Sequence, residues 1–235
     1  HGHDVVVQKD AGAGSAIRNE AFRRAGATIA DTAEEVWHRA GLILKVKEPL
    51  DGEFELMRPG QVLFTYLHLA ASKTLTEGLM DRGIVGIGYE TVQLEDGTLP
   101  LLVPMSEVAG RLAIQAGATS LEMTSGGKGL LLPGVSGVRR GRVTIVGAGI
   151  VGFNACVVGV GFGADVTIID INPLRLAYVR DVVQGHVTTL MSNAANIEEA
   201  VGEADLVICA VLIPGARTPR LILRTHLTAM EPGAA

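Results

Sequence analysis

Lys47 and His68 are the residues best placed to act on a small molecule. Lys47 closes the apolar run Leu42–Lys47 and precedes Glu48-Pro49; His68 follows the run Val62–Leu67 and precedes Leu69-Ala70. In open α/β sheets, ligands bind outside the carboxyl ends of the strands. A lysine there could hold a carboxylate or polarise a carbonyl, and a histidine could exchange a proton near neutral pH. From spacing alone a structural histidine explains His68 better, and Lys45 and Lys47 equally fit an exposed strand end. The six histidines, His1, His3, His38, His68, His186 and His226, show no ligand spacing. Cys156 and Cys209 form no CxxC pair, so no metal is expected.

The second chemical signal is a nucleotide-binding turn. Val143–Val146 is an apolar run that leads into Gly147-Ala148-Gly149-Ile150-Val151-Gly152, a G-x-G-x-x-G. The first glycine permits the tight turn, the second lets backbone approach a pyrophosphate, and the third lets the helix pack on the strand. The helix N-terminus then offers N–H groups and a positive dipole end to the phosphates. A second run, Val166–Ile169, ends in Asp170, 18 residues past Gly152, about where a ribose-binding acid belongs. A carboxylate there accepts ribose hydroxyls and repels a 2′-phosphate, favouring NAD over NADP. Arg175, five residues on, could weaken that preference.

The elements that must hold these residues alternate. Strands are expected at Val5–Val7, Leu42–Lys47, Val62–Leu67, Ile84–Tyr89, Val143–Val146, Val166–Ile169, His186–Leu190 and Leu206–Ala210. They are short, nearly continuous in apolar residues, and read as buried parallel strands. Thr32 with Glu35 has capping-box spacing, and Asn172 before Pro173 marks another helix start. Glu198–Glu203 belongs to a short helix, and Asp96-Gly97 marks a hairpin-like turn. A longer helix from about Ser106 to Met123 would join two α/β units, with flexible stretches at 125–129 and 133–137 beyond it. The expected fold is therefore α/β with two doubly wound parallel-sheet domains, 1–105 and 106–235.

Composition narrows the function classes. The chain has 235 residues; 48% are hydrophobic and 19% charged, which excludes a disordered chain. The net charge is −5 with no basic block, so a nucleic-acid surface is not indicated. The 22 residues from Val143 to Ala164 carry no charge, long enough for a membrane span, but six are glycines placed for a strand, a turn and a buried helix. No membrane association and a reducing, cytoplasmic setting are expected. The chain starts with His1 and stops just after Pro232-Gly233, so both ends look cut inside a domain.

Several longer motifs, in order, carry a resemblance. They are Lys45–Pro49, Leu63–Ala71, Tyr89–Gln93, Leu101–Gly110 and Val211–Ala216. Together they resemble the alanine dehydrogenases, NAD-dependent enzymes related to the nucleotide-binding domain of proton-translocating transhydrogenase. The similarity runs from Gly2 to the chain end. The resemblance implies reversible deamination of L-alanine to pyruvate and ammonium, with hydride transfer to NAD. It implies that Lys47 contacts substrate and that His68 is the acid/base of the carbinolamine and imine steps. It implies cofactor contacts from Ser106, the loop Gly147–Gly152, Asp170, Arg175, Ser192, Val211 and Leu212, and a homohexamer or smaller homo-oligomer. The family also carries an N-terminal strand with a substrate-binding arginine, a catalytic aspartate beyond Pro232-Gly233, and a C-terminal return that completes the first domain. None of these is in the sequence, so the substrate domain and the Rossmann NAD domain are both expected to be partial, with apolar surface and sheet edges left uncovered. Rival readings are a saccharopine-forming enzyme, a transhydrogenase-type NAD(H)-binding domain, and a non-catalytic homologue.

Overall fold

The computed structural model describes residues 2–213 and 218–235. The chain folds as two compact units, 1–99 and 100–235, the division falling ahead of Ser106. Both are α/β with parallel strands.

The first unit has strands β1 (Val6–Gln8), β2 (Thr28–Ala30), β3 (Leu42–Leu44), β4 (Val62–Thr65) and β5 (Val85–Gly88). Its helices are α1 (Asn19–Arg24), α2 (Ala33–Arg39) and α3 (Lys73–Asp81). Its parallel strands lie in two groups: β1 pairs with β2, and β3-β4-β5 form a separate three-stranded sheet. Strands β3 and β4 are also shorter than expected and stop before Lys47 and His68. One face of β3-β4-β5 is buried through Ile43 and Leu63, against Trp37, Met57, Leu75 and Leu79. On the other, Leu42, Leu44, Val85 and Ile87 remain 41–63% exposed. Thr32 caps α2 by accepting from Glu35 N–H at 3.3 Å, but the Glu35 carboxylate pairs with Arg39 instead of closing the box. Asp96 turns the chain by accepting from Thr98 N–H, with no flanking strands, so no hairpin forms.

The second unit has β6 (Arg142–Val146), β7 (Asp165–Asp170), β8 (Val187–Met191) and β9 (Leu206–Cys209). Its helices are α4 (Val103–Ser120), α5 (Ile150–Gly161), α6 (Pro173–Val182), α7 (Ala194–Gly202) and α8 (Arg224–Ala229). The order β8-β7-β6-β9 is the 3-2-1-4 portion of a six-stranded Rossmann sheet. Val143, Ile145, Val166 and Ile168 fill its centre. Among the described residues no helix is long and apolar enough to cross a membrane. The charge-free run is instead β6, the glycine turn and α5.

Helix α4 begins three residues before Ser106 and ends at Ser120. It lies on α5 through glycines: a Cβ at Gly110 would stand 2.2 Å from the Val151 carbonyl oxygen. The stretch 133–137 is a mostly exposed turn closed by the backbone bonds between Val135 and Val138, beside buried Leu132.

Candidate functional site

The glycine loop sits where β6 ends. Gly147 has φ 107°, and a Cβ there would lie 2.6 Å from the Ala210 carbonyl oxygen, so both backbone and neighbour demand glycine. A Cβ at Gly152 would lie 1.7 Å from the Gly147 carbonyl oxygen, so α5 rides directly on the turn. Gly149 differs: no atom lies within 4 Å of its Cβ position. That open space at the mouth of a 12-residue helix is where a pyrophosphate would approach. Ala148, Ile150 and Val151 complete the loop; Ala148 is buried, and Ile150 is partly exposed at the first helical position.

Asp170 ends β7 beside this loop. Its Oδ2 accepts from Ala148 N–H at 2.5 Å and its Oδ1 from Asn172 N–H at 2.8 Å. Each oxygen keeps a lone pair for a ribose hydroxyl. Arg175 donates from Nε to the Ala148 carbonyl at 3.0 Å and stacks over Tyr178 at 5.2 Å. Ser192 N–H donates to the Asp170 carbonyl at 2.9 Å, which puts Ser192 next along the strand edge. Val211 follows β9 and lines a depression of about 200 Å³ with Val146, Cys209 and Leu221. It lies where strand order reverses between β6 and β9, the crevice such sheets use for ligands. Leu212 is exposed beside it. The rest of the 211–216 motif, Pro214 to Ala216, lies outside the described residues, as does His1.

Ser106 is placed by register. Gly110 on α4 meets Val151 near the start of α5, and Ile114 meets Gly159 further along it. The two helices therefore run in the same direction. Ser106, one turn before Gly110, shares its face and lies toward the N-terminus of α5.

In the first unit, Lys47 and His68 lie just past adjacent strand ends, and both are exposed. Pairing continues beyond the regular strands through Tyr66 N–H donating to the Val46 carbonyl at 3.3 Å. The hydroxyl of Thr65, fully buried, donates to the Lys47 carbonyl at 2.8 Å and fixes that backbone. His68 has φ 48°, one of three non-glycine residues with positive φ among those described. Its ring stacks on Tyr66 at 6.1 Å between centroids, and Tyr66 meets Tyr89 edge-on. Burial, and then Tyr66, push the Tyr89 hydroxyl above its ordinary value. Glu90 accepts from both Leu67 and His68 N–H groups. One oxygen of Glu48, next to Lys47, is buried with no hydrogen-bond partner among the described residues. Among the described residues no group of three or more His, Cys, Asp or Glu could hold a metal ion.

Residues 1–109 match the model of the alanine dehydrogenase/PNT N-terminal domain, and residues 113–235 that of its C-terminal domain. The chain belongs to the alanine dehydrogenase/PNT family. It is 56% identical over 233 residues to an alanine dehydrogenase of Methanococcus maripaludis, covering 99% of this chain and 62% of that protein. It is 54% identical to an alanine dehydrogenase of Bacillus subtilis, covering 100% of this chain and 61% of that one. The chain thus spans about three fifths of the length of these relatives. Among solved structures, an L-alanine dehydrogenase is similar with TM-score 0.88 and 48% identity, covering 99% of this chain and 64% of that chain. A transhydrogenase from Sinorhizobium meliloti is more distant, at TM-score 0.78 and 27% identity over 99% of this chain and 68% of that one.

Sequence reasoning did not find Glu90, Thr65, or the ion cluster at Asp205. That buried carboxylate takes hydrogen bonds from Arg139, Arg142 N–H and Lys128. Burial alone would raise its pKa, but these donors outweigh burial and hold it well below the usual carboxylate range. It stands at the amino-terminal edge of β9, opposite the nucleotide loop, and holds the stretch before β6 in place.

Proposed function

We propose that this chain carries the NAD site and part of the substrate site of an L-alanine dehydrogenase, interconverting L-alanine with pyruvate and ammonium. The observation that carries the reading is the pairing of Lys47 and His68 at one exposed strand edge, in a family whose members near half identity are named alanine dehydrogenases. NAD, when bound, accepts or supplies the hydride exchanged with the substrate Cα.

The residues of this chain do the rest. The Lys47 ammonium pairs with the substrate carboxylate and draws electron density from the reacting carbon. His68 gives a proton to the departing hydroxyl of the carbinolamine, and takes it back from water in the reverse direction. The open face of Gly149 and the start of α5 fit a pyrophosphate, with Ser106 alongside. Asp170 binds the adenosine ribose and disfavours a 2′-phosphate, with Arg175 steadying the loop and Ser192, Val211 and Leu212 lining the adenine side. Assembly as a homo-oligomer belongs to the same proposal.

The rival is NAD(H) binding without amino-acid chemistry, as in a transhydrogenase-type domain. It leaves Lys47 and His68 without a task. The test is NADH absorbance in protein carrying this chain, with pyruvate and ammonium, and L-alanine with NAD in reverse. Turnover in both directions, lost in Lys47→Ala and His68→Ala, supports the dehydrogenase. NADH binding with no amino-acid-dependent turnover supports the rival.

A further inference from the structure

We infer that Glu90 is the positioning residue for His68: its carboxylate accepts the Leu67 and His68 N–H groups and locks the left-handed turn on which the imidazole stands. The inference deepens the proposed function and rests on it for the role of His68. Its structural half stands on the backbone alone.

The parallel ladder between β4 and β5 ends at the pair Thr65 and Gly88. Beyond it β5 tightens into a single turn, Tyr89–Thr91, and can offer no further strand carbonyls to β4. Leu67 is buried, so its N–H needs a protein acceptor. Glu90 supplies one from the turn itself. Its Oε1 and Oε2 lie 3.1 and 3.2 Å from Leu67 N, and Oε1 lies 2.7 Å from His68 N. A side-chain carboxylate thus takes over from the sheet, and bonds to an ionised acceptor are the strong ones.

Those bonds hold a conformation His68 would not choose. Its φ of 48° and ψ of 37° are left-handed, a region that costs free energy for a residue with a Cβ and persists only where neighbours enforce it. His68 then starts the next turn, its carbonyl accepting from Ala71 N–H at 2.9 Å. The room for the carboxylate is built in. A Cβ at Gly88 would stand 3.1 Å from Glu90 Oε2, and the Thr91 hydroxyl pins the turn through the Gly88 carbonyl at 3.0 Å. Both carboxylate oxygens of Glu90 are directed at these two N–H groups. Strain at a residue proposed to move protons, enforced by a carboxylate from the turn after β5, is what an arrangement for fixing the imidazole requires.

The test reads His68 directly, by nuclear magnetic resonance of backbone amides and labelled histidine rings in wild type, Glu90→Ala and Glu90→Gln. In Glu90→Ala the His68 amide should lose its hydrogen-bonded shift and exchange about tenfold faster or more. The His68 ring should leave the position set by the Tyr66 face. Glu90→Gln keeps one acceptor oxygen and should restore part of both signals. Amide and methyl signals of Leu63 and Leu79 report that the core is intact. If the alanine variant does not fold, the glutamine variant carries the test, with faster exchange at His68 and none at Leu63. Unchanged His68 amide and ring signals in a folded variant overturn the inference. These readouts need no turnover. A His68 released by Glu90→Ala in protein whose turnover ignores His68→Ala keeps the positioning claim and removes the proposed function. Turnover abolished by His68→Ala, with His68 signals unmoved in Glu90→Ala, does the reverse. Where turnover is measured, Glu90→Ala should lower kcat about tenfold and leave NADH affinity unchanged, since the glycine loop lies in the other unit.

Discussion

Gly149 and Gly152 stand one helical turn apart in a single loop, yet alanine should act on them in opposite ways. At Gly149 an added Cβ meets no atom within 4 Å, and the backbone is in an ordinary extended conformation. Gly149→Ala should therefore leave the melting temperature within about 2 °C of wild type, the span of a change below about 0.5 kcal/mol. The methyl nonetheless fills the space a pyrophosphate needs, so NADH affinity should fall at least about tenfold, or about 1.4 kcal/mol. At Gly152 the Cβ would lie 1.7 Å from the Gly147 carbonyl oxygen, a backbone atom with nowhere to go. Alanine gains about 1 kcal/mol of helix propensity over glycine. Forcing α5 off the turn costs more, about 3 kcal/mol or above. The net loss of about 2 kcal/mol or more should lower the melting temperature of the second unit by about 6 °C or more, and NADH affinity with it. Thermal melts and NADH fluorescence titrations on the two variants check both halves. Wild-type affinity in folded Gly149→Ala would refute the placement of the pyrophosphate. A Gly152→Ala variant as stable as wild type would refute the packing argument.

Three further outcomes follow from the same geometry. The Asp205 carboxyl is held below its ordinary value, so its stabilisation is complete above about pH 4, the unfolded carboxylate range, and is lost as acid protonates the unfolded chain first. Asp205→Asn should cost about 3 kcal/mol near neutral pH by taking the buried carboxylate from Arg139 and leaving Lys128 paired with Glu231 alone, and should flatten the acid limb of a urea-denaturation series. Asp170→Asn should weaken NADH binding about tenfold and narrow its advantage over NADPH, because a ribose acceptor and a negative charge go together; titration with both nucleotides checks it. Thr65→Val removes the hydroxyl bonded to the Lys47 carbonyl and should cost about 1–2 kcal/mol by urea denaturation, raising KM for pyruvate with NADH affinity unchanged.

What the sequence made legible was local. The glycine spacing announced a turn that really does need Gly147 for its φ and Gly152 for its close approach. Asn172 announced a cap, and its side chain accepts from Leu174 and Arg175 N–H groups. Thr32 gave the start of α2, though its partner Glu35 is drawn away by Arg39. Strand β2 escaped notice because three residues, Thr28–Ala30, carry too little pattern to show a period. Strands β3 and β4 read too long because Val46 and Tyr66-Leu67 extend the apolar pattern past the last regular pair into the turns that hold Lys47 and His68. The supporting groups were hidden for a different reason. Glu90 acts on backbone 22 and 23 residues away, and Asp205 on side chains 66 and 77 residues away. No spacing rule links such partners; only the parallel ladders bring them together.

The most direct test of the central claim follows the hydride. Protein carrying this chain is given NADH deuterated at the transferable C4 position, with pyruvate and ammonium, and the products are analysed by mass spectrometry. The account expects L-alanine with a single deuterium at Cα, formed in step with NADH oxidation and absent with His68→Ala. Alanine without the label, or NADH that binds yet never passes its deuterium to an amino acid, would contradict it.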